Sequence, residues 1–254
     1  MRWKTASASV TGKSHRDRGE SGQDFCRAGS VQFSDDDYFI GVVADGAGST
    51  ANGGRGAEIA CTILYDRIIA AIRASLDLTR LTDDDIRAWV SAARDAVVFE
   101  AGKHNTKPRE YASTVIGAVA GGGSALYFQI GDGAIVTGPG PEYRTIFWPE
   151  QGEYANTTFF LTDEQYLDNL KIDRSEEPDG IALFTDGLQS LVLSFAEKKA
   201  HAGFFSPLFT ALRNNPDDGI GGLSRQLGPF LSRDDISARS DDDKTLVIAA
   251  RVKG

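Results

Sequence analysis

The chain has 254 residues, 41% hydrophobic and 25% charged, with a formal net charge of −9; this is the balance of a soluble globular protein with a full core rather than of a disordered chain. A net acidic chain excludes nucleic acid as a main partner, because binding a phosphate backbone needs clustered Lys and Arg, and any anionic substrate would have to be met by a local positive centre. Cys26 and Cys61 have no metal-knuckle spacing and are too few for a secreted disulfide framework, so they read as reduced thiols of a cytosolic fold. The start, MRWKTASASVTGKSH, lacks the apolar stretch of a signal peptide, and no run reaches the ~18 apolar residues of a membrane span.

In chain order, residues 3–10 (WKTASASV) alternate large or branched with small side chains and predict a strand. Residues 37–44 (DYFIGVVA), aromatic and β-branched, predict a stronger one that runs into Asp45 and a glycine turn. From about Gly54 to Ala74, Ile59, Ile63, Ile68, Ile69 and Ile72 fall close to helical spacing. A second helix is announced by Thr82 as N-cap ahead of Asp83, Asp84 and Asp85, and runs through Ile86, Trp89 and Val97 to fray near Gly102. Strand-like runs follow at 113–120, 125–131, 134–138, 143–148 and 157–162, and the turn signals GGGS and GPGP between them read as an antiparallel meander. Residues 181–186 (IALFTD) predict a further strand, 189–231 lean to helix with a break at NNPDDGIGG, and 245–252 (TLVIAARV) predict a last strand. Helices outside sheets that share one core fit this order, and no linker divides it, so a single domain over 1–254 is expected.

Three of the strands end alike, in VVADGAG at Asp45, QIGDGA at Asp132 and LFTDGL at Asp186; two more acidic sites are Asp24 in SGQDF and the run Asp241 to Asp243 ahead of Thr245. A carboxylate closing an apolar strand is costly to desolvate unless something positive sits beside it, and neither Asp45 nor Asp186 has an obvious basic partner next to it. Carboxylates and carbonyls without His or Cys are hard oxygen donors, suited to Mg²⁺ or Mn²⁺ rather than zinc. Glycine after each strand-end Asp lets the backbone turn sharply and lets a carbonyl approach an ion. One Asp-Gly is an ordinary turn; three after apolar strands, with two further acidic sites, point to a metal centre.

The order of these motifs resembles the metal-dependent Ser/Thr protein phosphatases of type 2C, in particular the short bacterial stand-alone forms. GQD, ADGAG, ASTVIGA, IGDGA, TDGL and DDKT follow one another as that family's motifs do, across almost the whole chain. The resemblance implies an α+β fold, a four-layer α-β-β-α sandwich of two antiparallel sheets flanked by helices with the metal site at one end of the sheets. It implies Asp45 as a carboxylate bridging two Mn²⁺ or Mg²⁺ ions, Gly46 as a carbonyl ligand, and Asp186 and Asp242 as the other direct ligands. Asp24 then acts through bound water, and Asp132, with Asp186, holds a third, weaker ion. Such a pair lowers the pKa of a shared water and clamps the phosphoryl oxygens, so no covalent phospho-enzyme is required. The implied partner is a phosphorylated cytosolic protein, the target of a cognate Ser/Thr kinase, met by a monomer in the cytoplasm without membrane or nucleic acid.

The chain departs from the family's pattern at several positions. Gly19 stands where members commonly carry an Arg that grips the substrate phosphate; Arg16, Arg18 and His15 are near, and His15 and Arg18 are the candidates to replace it. Gln23 stands for an acidic residue, keeping an acceptor for a metal-bound water, and Asp243 stands for an Asn, with the spacing to Thr245 favouring Asp242 as the ligand. Residues 149–180 occupy the place of a flap beside the active site, where substrate choice would be set. His104 and His201 lack paired ligand spacing and read as surface or capping residues. Two rival functions are a pseudophosphatase serving as a regulatory binding module, and a phosphomonoesterase for small metabolites.

Overall fold

The computed structural model describes residues 1–74, 77–138, 143–149, 158–215 and 221–253. The chain runs β1 (Arg2–Val10), a five-residue helix α1 (Lys13–Asp17), β2 (Phe25–Phe33), β3 (Asp36–Ala44) and two long helices, α2 (Gly53–Arg73) and α3 (Asp83–Lys103). Next come β4 (Val115–Gly121), β5 (Ser124–Ile130), β6 (Ala134–Thr137), β7 (Arg144–Thr145), β8 (Lys171–Glu176) and β9 (Gly180–Phe184). The carboxy-terminal part holds α4 (Gln189–Val192), the small hairpin β10 (Leu193–Ser194) and β11 (Lys199–Ala200), α5 (Ala202–Asn214), α6 (Gly221–Leu231), α7 (Asp234–Ser237) and β12 (Lys244–Val252). Among the described residues no helix is long and apolar enough to cross a membrane.

Two antiparallel sheets carry the fold, in the orders β1-β12-β9-β6-β7 and β2-β3-β4-β5-β8. Their central strands are apolar at nearly every position because each face is covered. On β4, Val115 and Val119 pack toward α2 and α3, while Ile116, Ala118 and Ala120 pack toward the other sheet. On β12, Val247 and Ala249 face the opposite sheet, and Leu246, Ile248 and Ala250 join the layer of α5 and α6. The alternation of the pleat thus sorts one apolar run into two cores, and the result is the expected four-layer α-β-β-α sandwich. Helix α3 begins in the predicted place: the Thr82 hydroxyl accepts from Asp85 N at 3.3 Å, and the Asp85 carboxylate accepts from Thr82 N at 2.8 Å, a reciprocal capping box.

The expected meander is not what forms. Strands β4 and β5 pair with one another, but β6 steps across to the other sheet and pairs with β9. The 143–148 run shrinks to the two residues of β7, and the described part of 157–162 forms no strand. Strand β2 is absent from the predicted elements because FCRAGSVQF is an edge strand with an exposed outer portion, and polar β8 (KIDRSE) closes the opposite edge of the same sheet. The GPGP turn from Pro139 onward, residues 150–157 of the expected flap, and 216–220 within the break near Asn214 lie outside the described residues.

Antiparallel register places the acidic motifs together. Phe25 lies opposite Ala44, Val115 opposite Ile130, Phe184 opposite Leu246, and Lys244 opposite Val10. Residues just before β2 and β12, and just after β3, β5 and β9, therefore all emerge at one end of the two sheets.

Candidate metal centre

At that end, Asp45, Asp132, Asp186 and Asp242 line one cavity of about 220 Å³ together with His15 and Thr158. Asp24 lines a neighbouring groove of about 650 Å³ that shares Gly48 and Ser49 with the cavity. Backbone and hydroxyl groups place Asp24, Asp45 and Asp132. The Asp45 N–H donates to the Thr114 hydroxyl at 3.0 Å, and Thr114 N–H donates back to the Asp45 carbonyl at 2.8 Å. Thr185 Oγ1 donates to Asp24 Oδ2 at 2.8 Å and accepts from Thr245 N at 3.1 Å, tying the ends of β9 and β12 to the start of β2. Thr158 Oγ1 donates to Asp132 Oδ2 at 2.6 Å, and the Gln189 amide holds the Asp132 carbonyl. Gly46 is required by contact: a Cβ there would sit 2.3 Å from the Gly53 carbonyl carbon at the start of α2.

Burial, and then mutual crowding, raises the proton affinities of Asp24, Asp45 and Asp186. Burial pushes the Asp24 carboxyl up to about 7, against the hydrogen bonds from Thr185 and Thr245 and with help from the charges of Asp243 and Asp186. Asp45 is held well above the usual carboxylate range, first by burial and then by Asp24 and Asp186. Burial lifts Asp186 to about 6, with the charges of Asp132 and Asp242 adding to it, and the Asp45 and Asp186 carboxyls lie within hydrogen-bonding reach of each other. Carboxyls so placed take up a proton, or another cation in its place, more readily than exposed ones do.

The donor set fits a hard divalent cation. The side-chain donors are oxygens apart from His15, and Asp24 Oδ1 and Asp186 Oδ1 are buried with no hydrogen-bond partner. Such orphaned oxygens are costly in a folded protein unless an ion or water satisfies them. Among the described residues no three His, Cys, Asp or Glu side chains close on one point, as a single caged ion would need. Ions bridged by a carboxylate and completed by carbonyls and water do not need such a cage.

The family description Protein phosphatase 2C matches residues 11–232. The chain belongs to the protein phosphatase 2C family. A curated relative, Serine/threonine-protein phosphatase 3 of Escherichia coli (strain K12), is 33% identical over 253 residues, covering 98% of each chain. Solved structures share the fold: a bacterial serine phosphatase at 17% identity, TM-score 0.65 and 98% coverage of both chains. The serine/threonine phosphatase Stp1 from Staphylococcus aureus superposes with TM-score 0.62 at 18% identity, over 98% of this chain and 95% of that one.

Within this protein phosphatase 2C fold the residues expected at the site separate into two groups. Asp45, Gly46, Asp132, Asp186, Asp242 and His15 line the cavity, and Asp24 lies at its side in the groove. Arg18 is not brought to it: its side chain is half exposed, and its Nε pairs with Glu20 Oε2 at 2.7 Å. Arg16 also turns away, its guanidinium donating to the Thr11 carbonyl. Gln23 is also a donor: in the amide orientation that satisfies its neighbours its nitrogen donates to the Gly46 carbonyl at 3.1 Å and the Ala47 carbonyl at 3.0 Å, and its oxygen remains an acceptor. His104 is exposed beside Glu100, and His201 is the exposed residue ahead of α5, both as expected.

Four residues of the site went unassigned in the sequence. Asp243 is 3% exposed and accepts from Gly12 N and Gln23 N, each at 2.6 Å, and from His15 Nδ1 at 3.0 Å. Thr185 holds the Asp24 carboxylate and Thr114 holds the Asp45 backbone, and the ASTVIGA motif was the signal for Thr114. Lys244 is a buried cation beside the acidic run, its ammonium donating to the Asp242 carbonyl at 2.7 Å.

Proposed function

We propose that the chain is a Mg²⁺- or Mn²⁺-dependent phosphatase that hydrolyses phosphoserine and phosphothreonine on proteins, as one domain spanning 1–254. The observation that carries this reading is the pair of buried, unpartnered carboxylate oxygens, Asp24 Oδ1 and Asp186 Oδ1, in and beside a cavity that Asp45, Asp132 and Asp242 also line. Asp45, the Gly46 carbonyl, Asp186 and Asp242 would hold two ions, Asp24 would act through water, and Asp132 with Asp186 would take a third, weaker one. When bound, such ions lower the pKa of water and neutralise phosphoryl oxygens.

The chain's own residues do the rest. Thr114 and Thr185 orient Asp45 and Asp24, Thr158 orients Asp132, and the uncharged Gln23 steadies the Gly46 turn without adding repulsion to an already acidic site. Name and family of the relative favour a protein substrate over a small metabolite. Cys26 and Cys61 are free thiols, which fits a reducing compartment such as the cytoplasm, and the partner would be the product of a Ser/Thr kinase, met by a monomer. Phosphate release from a phosphoserine peptide, measured with Mn²⁺, after EDTA, and beside a panel of phosphorylated metabolites, tests the reading. Mn²⁺-dependent turnover of the peptide is expected to exceed that of every metabolite. Full turnover after exhaustive chelation, or turnover of metabolites alone, contradicts it.

A further inference from the structure

A phosphoryl group fits the metal cavity, but the peptide chain that carries it does not. The cavity is about 220 Å³, and the neighbouring groove of about 650 Å³ meets it at Gly48 and Ser49. Both residues are exposed, and a Cβ on Gly48 would meet no atom within 4 Å, so the passage from one to the other is open. The groove forms where the segment before β2 crosses the start of α2. A Cβ on Gly54 would stand 3.0 Å from Gln23 Cα, and one on Gly53 would stand 2.8 Å from Ala47 N, so bare glycines bring segment, helix and the loop after Asp45 together. Ser21, Ser49, Thr50 and Asn52 line the groove with small polar side chains, able to exchange hydrogen bonds with an extended backbone. Among the described residues, none from 149–180, the expected place of the flap, lines it.

The charge of the groove is one-sided. Glu20 and Glu58 line it beside Asp24 of the metal centre, and Arg55 is the one cation among the described lining residues. Arg55 is already engaged: Nη1 donates to Glu58 Oε2 at 2.7 Å, and Nε and Nη2 donate to Glu100 Oε1 at 3.2 Å and 3.0 Å. Each of its three nitrogens thus has a carboxylate partner, and it offers little to an incoming anion. The two glutamates are less fully used. Glu20 Oε2 accepts from Arg18 Nε at 2.7 Å and Glu58 Oε2 from Arg55, whereas a carboxylate has about four lone-pair sites. Their side chains are 49% and 45% exposed, within reach of a second cation arriving from solvent.

We infer that the groove receives the peptide flanking the phosphoserine or phosphothreonine and selects a Lys or Arg side chain there, engaged by Glu20 and Glu58; this rests on the phosphatase reading above. An acidic flank would instead meet two carboxylates and a guanidinium already paired, on a chain of net charge −9. The selection acts at short range, and salt weakens it because both carboxylates are half exposed.

Phosphate release at saturating Mn²⁺ is compared for one phosphoserine peptide whose neighbouring residues are varied, on either side of the phosphoserine, between Arg, Ala and Glu. In wild type, kcat/KM for the best Arg peptide is expected to exceed that of the matching Glu peptide by about 10-fold at low salt, shrinking at 0.5 M NaCl (~0.5 M). Glu20→Gln and Glu58→Gln keep the shape of the side chain and remove its charge, so each is expected to cut this ratio to about 3-fold. Reversing both charges, Glu20→Lys with Glu58→Lys, is expected to make the Glu peptide the better substrate, a gain that a misfolded variant could not give. Equal kcat/KM for the Arg and Glu peptides in wild type, a wild-type preference for Glu, or a ratio unchanged in both glutamine variants would overturn the inference while leaving the phosphatase reading standing. Wild type that releases phosphate from none of these peptides, nor from p-nitrophenyl phosphate, with Mn²⁺ would bring down the phosphatase reading, and this inference with it.

Discussion

Asp186 and Asp243 both place carboxylate oxygens out of reach of water at the same end of the sheets, yet the fold holds them in opposite ways. Asp243 receives three donors, Gly12 N, His15 Nδ1 and Gln23 N, and is satisfied by the protein alone. Asp186 faces Asp45, Asp132 and Asp242, with one oxygen unpartnered, and its proton affinity is raised. The first arrangement is what a structural carboxylate looks like; the second is incomplete without a cation. Burial alone does not tell a ligand from a strut, and the count of donors does.

That contrast breaks first on activity. Asp45→Asn and Asp186→Asn each remove a charged donor from the cavity and are expected to lower turnover of a phosphoserine peptide by at least ~10²-fold at saturating Mn²⁺. The metal-free protein should lose no thermal stability at pH 8, because a repulsion is relieved. Near-normal turnover in either variant would remove that carboxylate from the ligand set. Asp243→Ala should do the reverse to the fold: three buried donors lose their acceptor, and urea unfolding of the metal-free protein should show a loss of about 3 kcal/mol. Unchanged stability would mean that Asp243 is no strut.

A finer test uses pH. Asp24 is raised in the fold to about 7, above its unfolded value near 3.8, so its contribution to stability is fully present below about 4 and is lost as pH rises through about 7. The Tm of the metal-free wild type, measured against Asp24→Asn, should therefore fall by roughly 5 °C between pH 5 and 8. A difference that stays constant or grows with pH would place the titration elsewhere. The smallest effect is expected at Arg18, outside the cavity and paired with Glu20: Arg18→Ala should leave kcat/KM within about 2-fold of wild type. A larger loss would return a guanidinium to the phosphate.

Much of this was legible in the sequence where a local rule was broken. Asp45, Asp132 and Asp186 stand out because a carboxylate and a glycine interrupt apolar strands, and the α3 start stands out because Thr82 and Asp85 fulfil a cap. Pairing was not legible in that way: nothing in AIVT says that β6 leaves the sheet of β5, since register is set by partners far along the chain. Edge strands β2 and β8 hid because they carry polar residues on open faces. Asp243 hid inside a run of like residues, and Arg18 looked close to the site because sequence distance ignores the turn of α1. The threonines that hold Asp24 and Asp45 are ordinary strand-end residues until their hydroxyl partners are seen.

The central claim is that one set of carboxylates holds protons when the cation is absent and the cation when it is present. Calorimetric titration of the metal-free protein with Mn²⁺ at pH 6, repeated in buffers of different ionisation enthalpy, measures this directly. With Asp24 raised to about 7 and Asp45 well above its usual range, binding is expected to release about one proton or more per chain, and less in Asp24→Asn. Mn²⁺ that fails to bind, or binds with no proton released in any buffer, would contradict the account.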